Sequence, residues 1–517
     1  MAVTTTGRPG VFVSETLAPL VTTPNTPGQA IAAFVGKFSA GPVGPTLITS
    51  WADWKARFGG FGNGADLLPY AVYEYLSNGG GQAYVVRAVA SDAVVASVSL
   101  KDVATTPANV LTLSALAPGV VGNQLLISVT VNDAAAGRFN LFVREGSATA
   151  TPVESYVDVS LNPADPRNLV AMVGATAEQG SRYISAKYMG PAAWTTKQTP
   201  GEQVATPLVG GMDGTATTDL VTATQLLDSV EPLLNVNLPG VTDPLIINPV
   251  IAWAQSSGSR FVVVDSPQAA ATYADTVTNF KNVSPLGTST GTPYTQSSYA
   301  AVYGPWLHFR DPSAQAVGAT RLLPPGGAML GLFSQADAAA GTQQSAAGVG
   351  YPIQGAVAPE VRFQNADLDT LNEIGINVIR AVPGASGLVP MGARTLKGGM
   401  PDRYVAIRRT LMYVTRLCIE TTNFAVFRPN SEDLWGQLTS LLTDQLAALQ
   451  QARVLRGATA GEAFYVLCDA TNNTDNSVAN GIVNIEVGVA LNTPAEFIVI
   501  KIGQIASGAT SDDSLTS

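Results

Sequence analysis

A chain of 517 residues exceeds what a single hydrophobic core serves, so about three domains are expected. Hydrophobic residues make 46% and charged residues only 13%, against a usual share of about 25% charged; this fits either a surface hidden against other proteins or a large, well-packed β-rich interior. The net charge of −10 argues against the basic stripe that neutralises phosphates, and Cys418 and Cys468, the two cysteines, lack metal-site spacing and suit assembly in a reducing cytoplasm.

Met1 to Gly10 lacks the charged and apolar regions of a signal peptide. No apolar run approaches the ~18 residues of a membrane helix, so no membrane insertion is expected. Residues 1–29 hold four prolines and many threonines and read as an arm that builds no core by itself. Within it Val11, Phe12, Val13, Ser14 and Glu15 form a short strand-like run. A strand without a local partner finds one elsewhere, either on its own domain or on another chain.

From residue 30 the pattern becomes layered. Ala30 to Gly36 reads as a buried strand, Ser50 to Gly59 as a short helix with Ser50 as N-cap and Gly59 as stop. Leu67, Leu68, Ala71, Val72, Tyr75 and Leu76 recur at helical spacing, and Gln82 to Val89 is a second buried strand. Strand, helix and strand joined by Gly-rich turns predict an α/β layer. From 95 to 207 the runs shorten and alternate: Ser97 to Leu100, Leu125 to Val131, Phe139 to Arg144 and Tyr156 to Val159, with a short helix starting at Asp165. That stretch reads as a β-rich domain inserted into the α/β one, which resumes over 208–365. There Asp219 to Val230 is helical, Phe261 to Asp265 is a buried strand and Val302 to His308 another. Ala338 to Gly348 is low in complexity and reads as a mobile loop.

Leu371 to Arg380 opens a C-terminal domain over 366–505. Tyr404, Ile407, Leu411, Val414 and Cys418 line one helical face. Pro429-Asn430 starts a stronger helix with Leu434, Leu438, Leu441, Leu442, Leu446 and Leu449 on one stripe and Gly457 past its end. Ile482 to Val489 and Phe497 to Ile502 read as strands, and residues 506–517 as a flexible tail.

Catalytic chemistry is hard to assemble from these residues. His308 is the only histidine, and it sits within a strand, where a packed, hydrogen-bonded side chain is the plainer reading. The chain has neither a G-x-S-x-G elbow nor a phosphate-binding loop. Asp469 to Asn476 lacks the central glycine and terminal glutamate of a calcium loop and reads as a solvated turn. Asp265 ends a strand, where α/β enzymes often place a carboxylate, so a hydrolase using Asp265 and His308 is the remote alternative. No cofactor or metal is expected.

Five blocks in the last quarter carry a specific resemblance: Lys397-Gly-Gly-Met-Pro-Asp-Arg-Tyr-Val-Ala-Ile-Arg-Arg409, Thr421 to Asn430, Gly461 to Asp469, Asn480 to Gly488 and Pro494 to Gln504. In order and spacing they resemble the C-terminal domain of contractile tail sheath proteins of phages and related injection machines. Gly36 to Pro45, Trp54 to Phe58 and Gly79 to Val89 resemble the N-terminal block of the same family. The match is loose between the two ends, and Gly398-Gly-Met-Pro401 departs from the polar run usual there.

The resemblance implies an α+β, α/β multidomain sheath fold: a discontinuous α/β domain (30–94 and 208–365), the inserted β-rich outer domain, and an α/β C-terminal domain with extended arms. It implies a non-enzymatic subunit that polymerises helically, in stacked hexameric rings, around a tail tube protein. Baseplate and tail terminator proteins are further partners; nucleic acid is not contacted directly. The virion tail, assembled in the host cytoplasm, would be its location, with a phage-derived bacteriocin or extracellular injection system as the alternative. By the same resemblance the strands donated between subunits are Val11 to Glu15 and Phe497, Ile498, Val499, Ile500 and Ile502. From 394 to 456 nine basic residues face five acidic ones, an excess of four in a chain of net charge −10. The family places this region against the tube, so Arg403, Arg408, Arg409, Arg416, Arg453 and Arg456 are the tube-facing candidates, with solvated faces and internal ion pairs as the competing explanation.

Overall fold

The computed structural model describes residues 30–496, apart from 63, 175–179, 289 and 315. The chain begins with β1 (Ile31–Lys37), β2 (Thr46–Ile48), α1 (Trp51–Phe58), α2 (Leu68–Ser77) and β3 (Ala83–Ala88). Ser50 caps α1 by accepting from the Asp53 amide, and Gly59 ends it at φ 85°, a conformation that a Cβ would strain. A β-rich stretch follows: β4 (Ser97–Lys101), β5 (Asn109–Ala115), β6 (Leu125–Asp133), β7 (Arg138–Glu145), β8 (Glu154–Val159), α3 (Leu169–Val173), β9 (Ile184–Tyr188) and β10 (Gln203–Pro207). Then come α4 (Leu220–Gln225), β11 (Leu234–Asn237), α5 (Pro244–Ser257), β12 (Arg260–Asp265), α6 (Tyr273–Val283) and β13 (Ala300–Gly304). The chain continues through β14 (Leu307–Arg310), β15 (Thr320–Leu323), α7 (Gly326–Ala340), β16 (Ala356–Pro359), α8 (Asn365–Glu373), β17 (Ile376–Ala381) and β18 (Leu388–Pro390). It closes with α9 (Val405–Thr422), α10 (Glu432–Gln451), α11 (Ala460–Ala463), β19 (Phe464–Leu467), α12 (Asp475–Ala479) and β20 (Glu486–Val489).

An eight-stranded sheet in the order β18-β17-β13-β12-β11-β1-β3-β2 forms the centre. Its inner strands pair in parallel, and β2 and β18 close the two edges antiparallel. Near-continuous apolar runs such as Phe261 to Val264 are buried on both faces, as helix-covered parallel strands must be. On one face α2 and α7 touch backbone to backbone: a Cβ on Gly327 would lie 2.3 Å from the Ala71 carbonyl oxygen, and one on Gly331 2.7 Å from that of Tyr75.

A second core, containing Leu111, Ile127, Phe139, Leu141 and Leu169, lies between the sheets β4-β5-β9 and β10-β6-β7-β8. The chain enters and leaves this body side by side, through bridges Val94–Met212 and Ser97–Val209. Arg87 ties it to the central sheet: its guanidinium donates to the carbonyls of Phe38 (2.6 Å), Ser39 (3.0 Å), Gly41 (3.1 Å) and Pro118 (2.8 Å).

Several elements differ from expectation. Val302 to His308 is two strands, because Pro305 has no N–H to continue the ladder; β13 ends before it and β14 joins a separate three-stranded sheet. The expected mobile loop is half helix, since α7 runs to Ala340, and half packed: Thr342 and Ala346 are buried, and the Thr342 and Thr410 hydroxyls lie 3.2 Å apart. Asn168, not Asp165, caps α3. Ser431 caps α10, Leu441 faces outward, and the helix stops at Gln451, well before Gly457. Strand β20 covers only Glu486–Val489, the latter half of the expected run. Strands β5, β9 and β10 were not anticipated, although Pro118-Gly119, Gly190-Pro191 and Pro200-Gly201 mark turns beside them.

Candidate assembly site

The end of the chain builds a third core from the faces of α9 and α10 and the strands β19 and β20, with Ile407, Val414, Leu446, Leu449, Leu455 and Phe464 at its centre. Helix α9 belongs to two cores at once: Val405 and Met412 pack into the central one, Ile407 and Val414 into this one. It is therefore a rigid strut between the two bodies.

The strands β19 and β20 pair antiparallel, Phe464 opposite Val489 and Leu467 opposite Glu486, with no break in register. Val466, Val487 and Val489 face the helices. On the outer face Tyr465, 49% exposed, crosses Gly488 so closely that a Cβ there would lie 2.0 Å from its ring; the phenol donates to the Glu486 carboxylate at 2.6 Å. The Ala490 amide donates to the Ala463 carbonyl (2.9 Å). In an antiparallel ladder the residue pairs alternate, so the N–H groups of Val487 and Val489 point away from β19. Among the described residues the sheet has only these two strands, too few for independent stability.

The Asx-rich run beside the strands is the exposed turn expected, with one buried member that ties it to the strand side. Asn473, 3% exposed, accepts from the Asn484 amide (2.5 Å) and donates to the Asn484 and Asp469 carbonyls at 2.9 and 3.2 Å. Among the described residues no group of His, Cys, Asp or Glu side chains is arranged to hold a metal ion.

The basic excess divides sharply. The side chains of Arg408 and Arg409 are only 4% and 3% exposed, so neither faces a partner in the folded chain, and both leave the tube-facing set. Arg408 pairs with Asp402 at 2.6 Å and lies over the Tyr299 ring. Arg409 pairs with Asp337 and lies over Phe333. Burial is the largest single influence on both carboxyls, with opposite net outcomes. Burial pushes Asp337 up, and Arg409 offsets this only in part. Burial also acts on Asp402, but Lys397 (2.8 Å) and Arg408 outweigh it and hold the carboxyl below its usual value. Arg416 bonds Glu420 at 2.5 Å on its own helix. Among the described residues Arg403, Arg453 and Arg456 have no ion pair; Arg453 and Arg456 are fully on the surface and Arg403 is half-buried. The Arg409 pair could not be read from the sequence because Asp337 stands 72 positions away, whereas Asp402 lies only six from Arg408.

Arg394, another member of the excess, is also buried and grips Glu496 with two nitrogens, Nε to Oε1 at 2.8 Å. Val11, Phe12, Val13, Ser14, Glu15, Phe497, Ile498, Val499, Ile500 and Ile502 lie outside the described residues.

The remote catalytic pair is not assembled. Asp265 is buried at the end of β12, and its carboxylate accepts from the amides of Gly240 (2.9 Å) and Gly326 (2.7 Å) and from the Asn237 side chain (3.2 Å). Desolvation still raises it to about 6. His308 lies on β14 in another sheet, opposite Leu322 and Ala358.

No family model and no curated protein matches the chain. Solved structures match over almost its whole length. A chain of the anti-feeding prophage baseplate aligns over 97% of this chain and 100% of its own, with 20% identity and a TM-score of 0.57. The sheath complex of the extracellular contractile injection system PVC, in its contracted state, aligns over 97% and 99%, with 20% identity and a TM-score of 0.56. The sheath tail protein of Listeria innocua aligns over 90% and 96%, with 15% identity and a TM-score of 0.60. The protein has the fold of the contractile sheath proteins.

Proposed function

We propose that this protein is the subunit of a contractile sheath, which polymerises helically around an inner tube and, on contraction, drives that tube through a target cell envelope. The observation that carries this reading is the likeness, over 97% of the chain, to a sheath in its contracted state. Its partners are further copies of itself in stacked hexameric rings, a tube protein, and baseplate and terminator proteins. The role requires no catalysis and no cofactor.

The two-stranded β19–β20 sheet is where neighbouring chains add strands, donated by Val11 to Glu15 and by Phe497 to Ile502. Support comes from the contrast between edges. The outer sheet of the β-rich body carries Asp158 (φ 53°) on edge strand β8 and Ala205 (φ 44°) on edge strand β10, with register shifts on both sides. Such irregularities blunt an edge against pairing. The β19–β20 register is unbroken. Arg403, Arg453 and Arg456 remain as groups to meet an acidic tube surface, with each exposed pair worth about 0–1 kcal/mol, enough to set register and still break.

The main reading places the sheath in a virion tail, assembled in the host cytoplasm and ejecting a genome. The second, a bacteriocin or extracellular injection system delivering protein, draws support from the fuller match to injection-system chains, 97% of this chain against 90% for the Listeria tail sheath. Negative-stain microscopy of the purified protein tests the function: long hollow ribbed tubes are expected, and dispersed monomers at every concentration would overturn it. Capsids and DNA in particles isolated with the protein would decide for the virion.

A further inference from the structure

Three donors, two from Arg394 and one from Tyr404, converge on one carboxylate at the root of the C-terminal segment. Glu496 accepts from both fork nitrogens of Arg394 and, through Oε2, from the Tyr404 hydroxyl at 3.2 Å. Arg394 is itself held from every side. Its amide donates to Asn377 Oδ1 (2.7 Å), its carbonyl accepts from Asn377 Nδ2 (2.8 Å), and its third guanidinium nitrogen donates to the Asn372 carbonyl (2.8 Å). Asn377 is fully buried on β17, Asn372 lies on α8, and Tyr404 caps α9. A planar fork fixed this way meets a carboxylate with its rotamer already chosen, so little freedom is lost on forming the pair. The hydrogen bonds to Glu496 stabilise the charged guanidinium and raise the Arg394 pKa despite its burial.

The segment is pinned at both ends. Ala490 bonds Ala463 and Arg456, and Leu491 is buried; from there residues 492–496 cross as one wall of a cleft of about 620 Å3, opposite Gln343 to Ser345, and end in the fork. The segment thus runs from the β19–β20 unit back to the central sheet.

We propose that Glu496 is a positioning residue: the Arg394–Tyr404 clamp fixes the root of the C-terminal segment to the central sheet before any neighbour is met. What the clamp contributes to assembly rests on the sheath reading; that it holds residues 492–496 in place does not. A clamp of this kind couples rotation of the subunit body to whatever the segment binds.

The test compares the full-length wild type with Glu496→Gln, which keeps the shape but presents an amide to the fork, and with Tyr404→Phe, which removes one bond. Hydrogen exchange of the hydrogen-bonded amides at the two ends of the segment, Arg394, Arg456 and Ala490, in unassembled protein is expected to be roughly tenfold faster in Glu496→Gln, with a smaller change in the same direction for Tyr404→Phe, while thermal unfolding moves little. Microscopy is expected to show the Glu496→Gln tubes absent or short and irregular. Unchanged exchange in both variants overturns the clamp, and so do Glu496→Gln tubes with the wild type's length and helical order. Failure of the wild type itself to form tubes overturns the sheath reading instead, and the exchange measurement still decides the clamp.

Discussion

Single buried groups decide where this protein's charge resides. Glu74 on α2 is buried, and neither carboxyl oxygen makes a hydrogen bond among the described residues. Desolvation, followed by the nearby Asp265, raises it well above 4.5, with the Ala328 amide close enough to oppose the shift weakly. A raised carboxyl pKa means the folded chain holds a proton that the unfolded chain releases. Its stabilising effect is complete below 4.5 and is lost as pH rises from there towards the folded value. Glu74→Gln, neutral throughout, should therefore be more stable than the wild type near neutral pH by about 1–3 kcal/mol. The gap should close as pH falls towards 4.5, read as urea midpoints across pH. Arg409 tests the interior assignment of the arginines. Arg409→Ala leaves Asp337 buried and unpaired and should cost about 3–5 kcal/mol, much of it recovered by adding Asp337→Leu. A tube-facing arginine would give no change in the unfolding of the monomer.

At the scale of elements, a strand edge is an active feature whenever its outward amides lack a ladder. The Val487 N–H points away from β19, so Val487→Pro spares the β19–β20 pairing and removes one donor from the outer edge of β20. Circular dichroism should report a folded chain, and sedimentation should show that tubes no longer form. Gly488→Pro makes the contrast, since Gly488 belongs to a bonded pair with Tyr465 and its loss opens the hairpin itself. Normal tubes from Val487→Pro would assign that edge no role in joining chains. The Gly327 and Gly331 contacts with α2 belong to the same scale: they bring two helices to backbone distance, a demand that one helix's own apolar pattern does not express.

The whole molecule is three cores joined by few, specific ties: the Arg87 joint, the α9 strut and the Glu496 clamp. Deleting residues 1–16 should leave a folded, soluble chain, because among the described residues the central core is built from β1 onward. Tube formation should fail. Long tubes from the truncated protein would exclude strand donation by Val11 to Glu15.

Local chemistry was enough for the layered N-terminal pattern, the Ser50 and Gly59 caps of α1, the apolar stripes of α9 and α10 and the buried run of β12, since each depends on residues a few positions apart. The sheath resemblance was legible for a related reason: it rests on short blocks in fixed order. Decisions made between distant residues were not legible. Asp337 neutralises Arg409, Glu496 takes Arg394, Pro305 sends β14 into another sheet, and Asn484 holds Asn473, the one buried residue of an otherwise exposed turn. A charge count over a window of sequence treats every arginine alike. Only burial, which depends on how distant segments pack, separates those that balance the interior from those left to meet a partner.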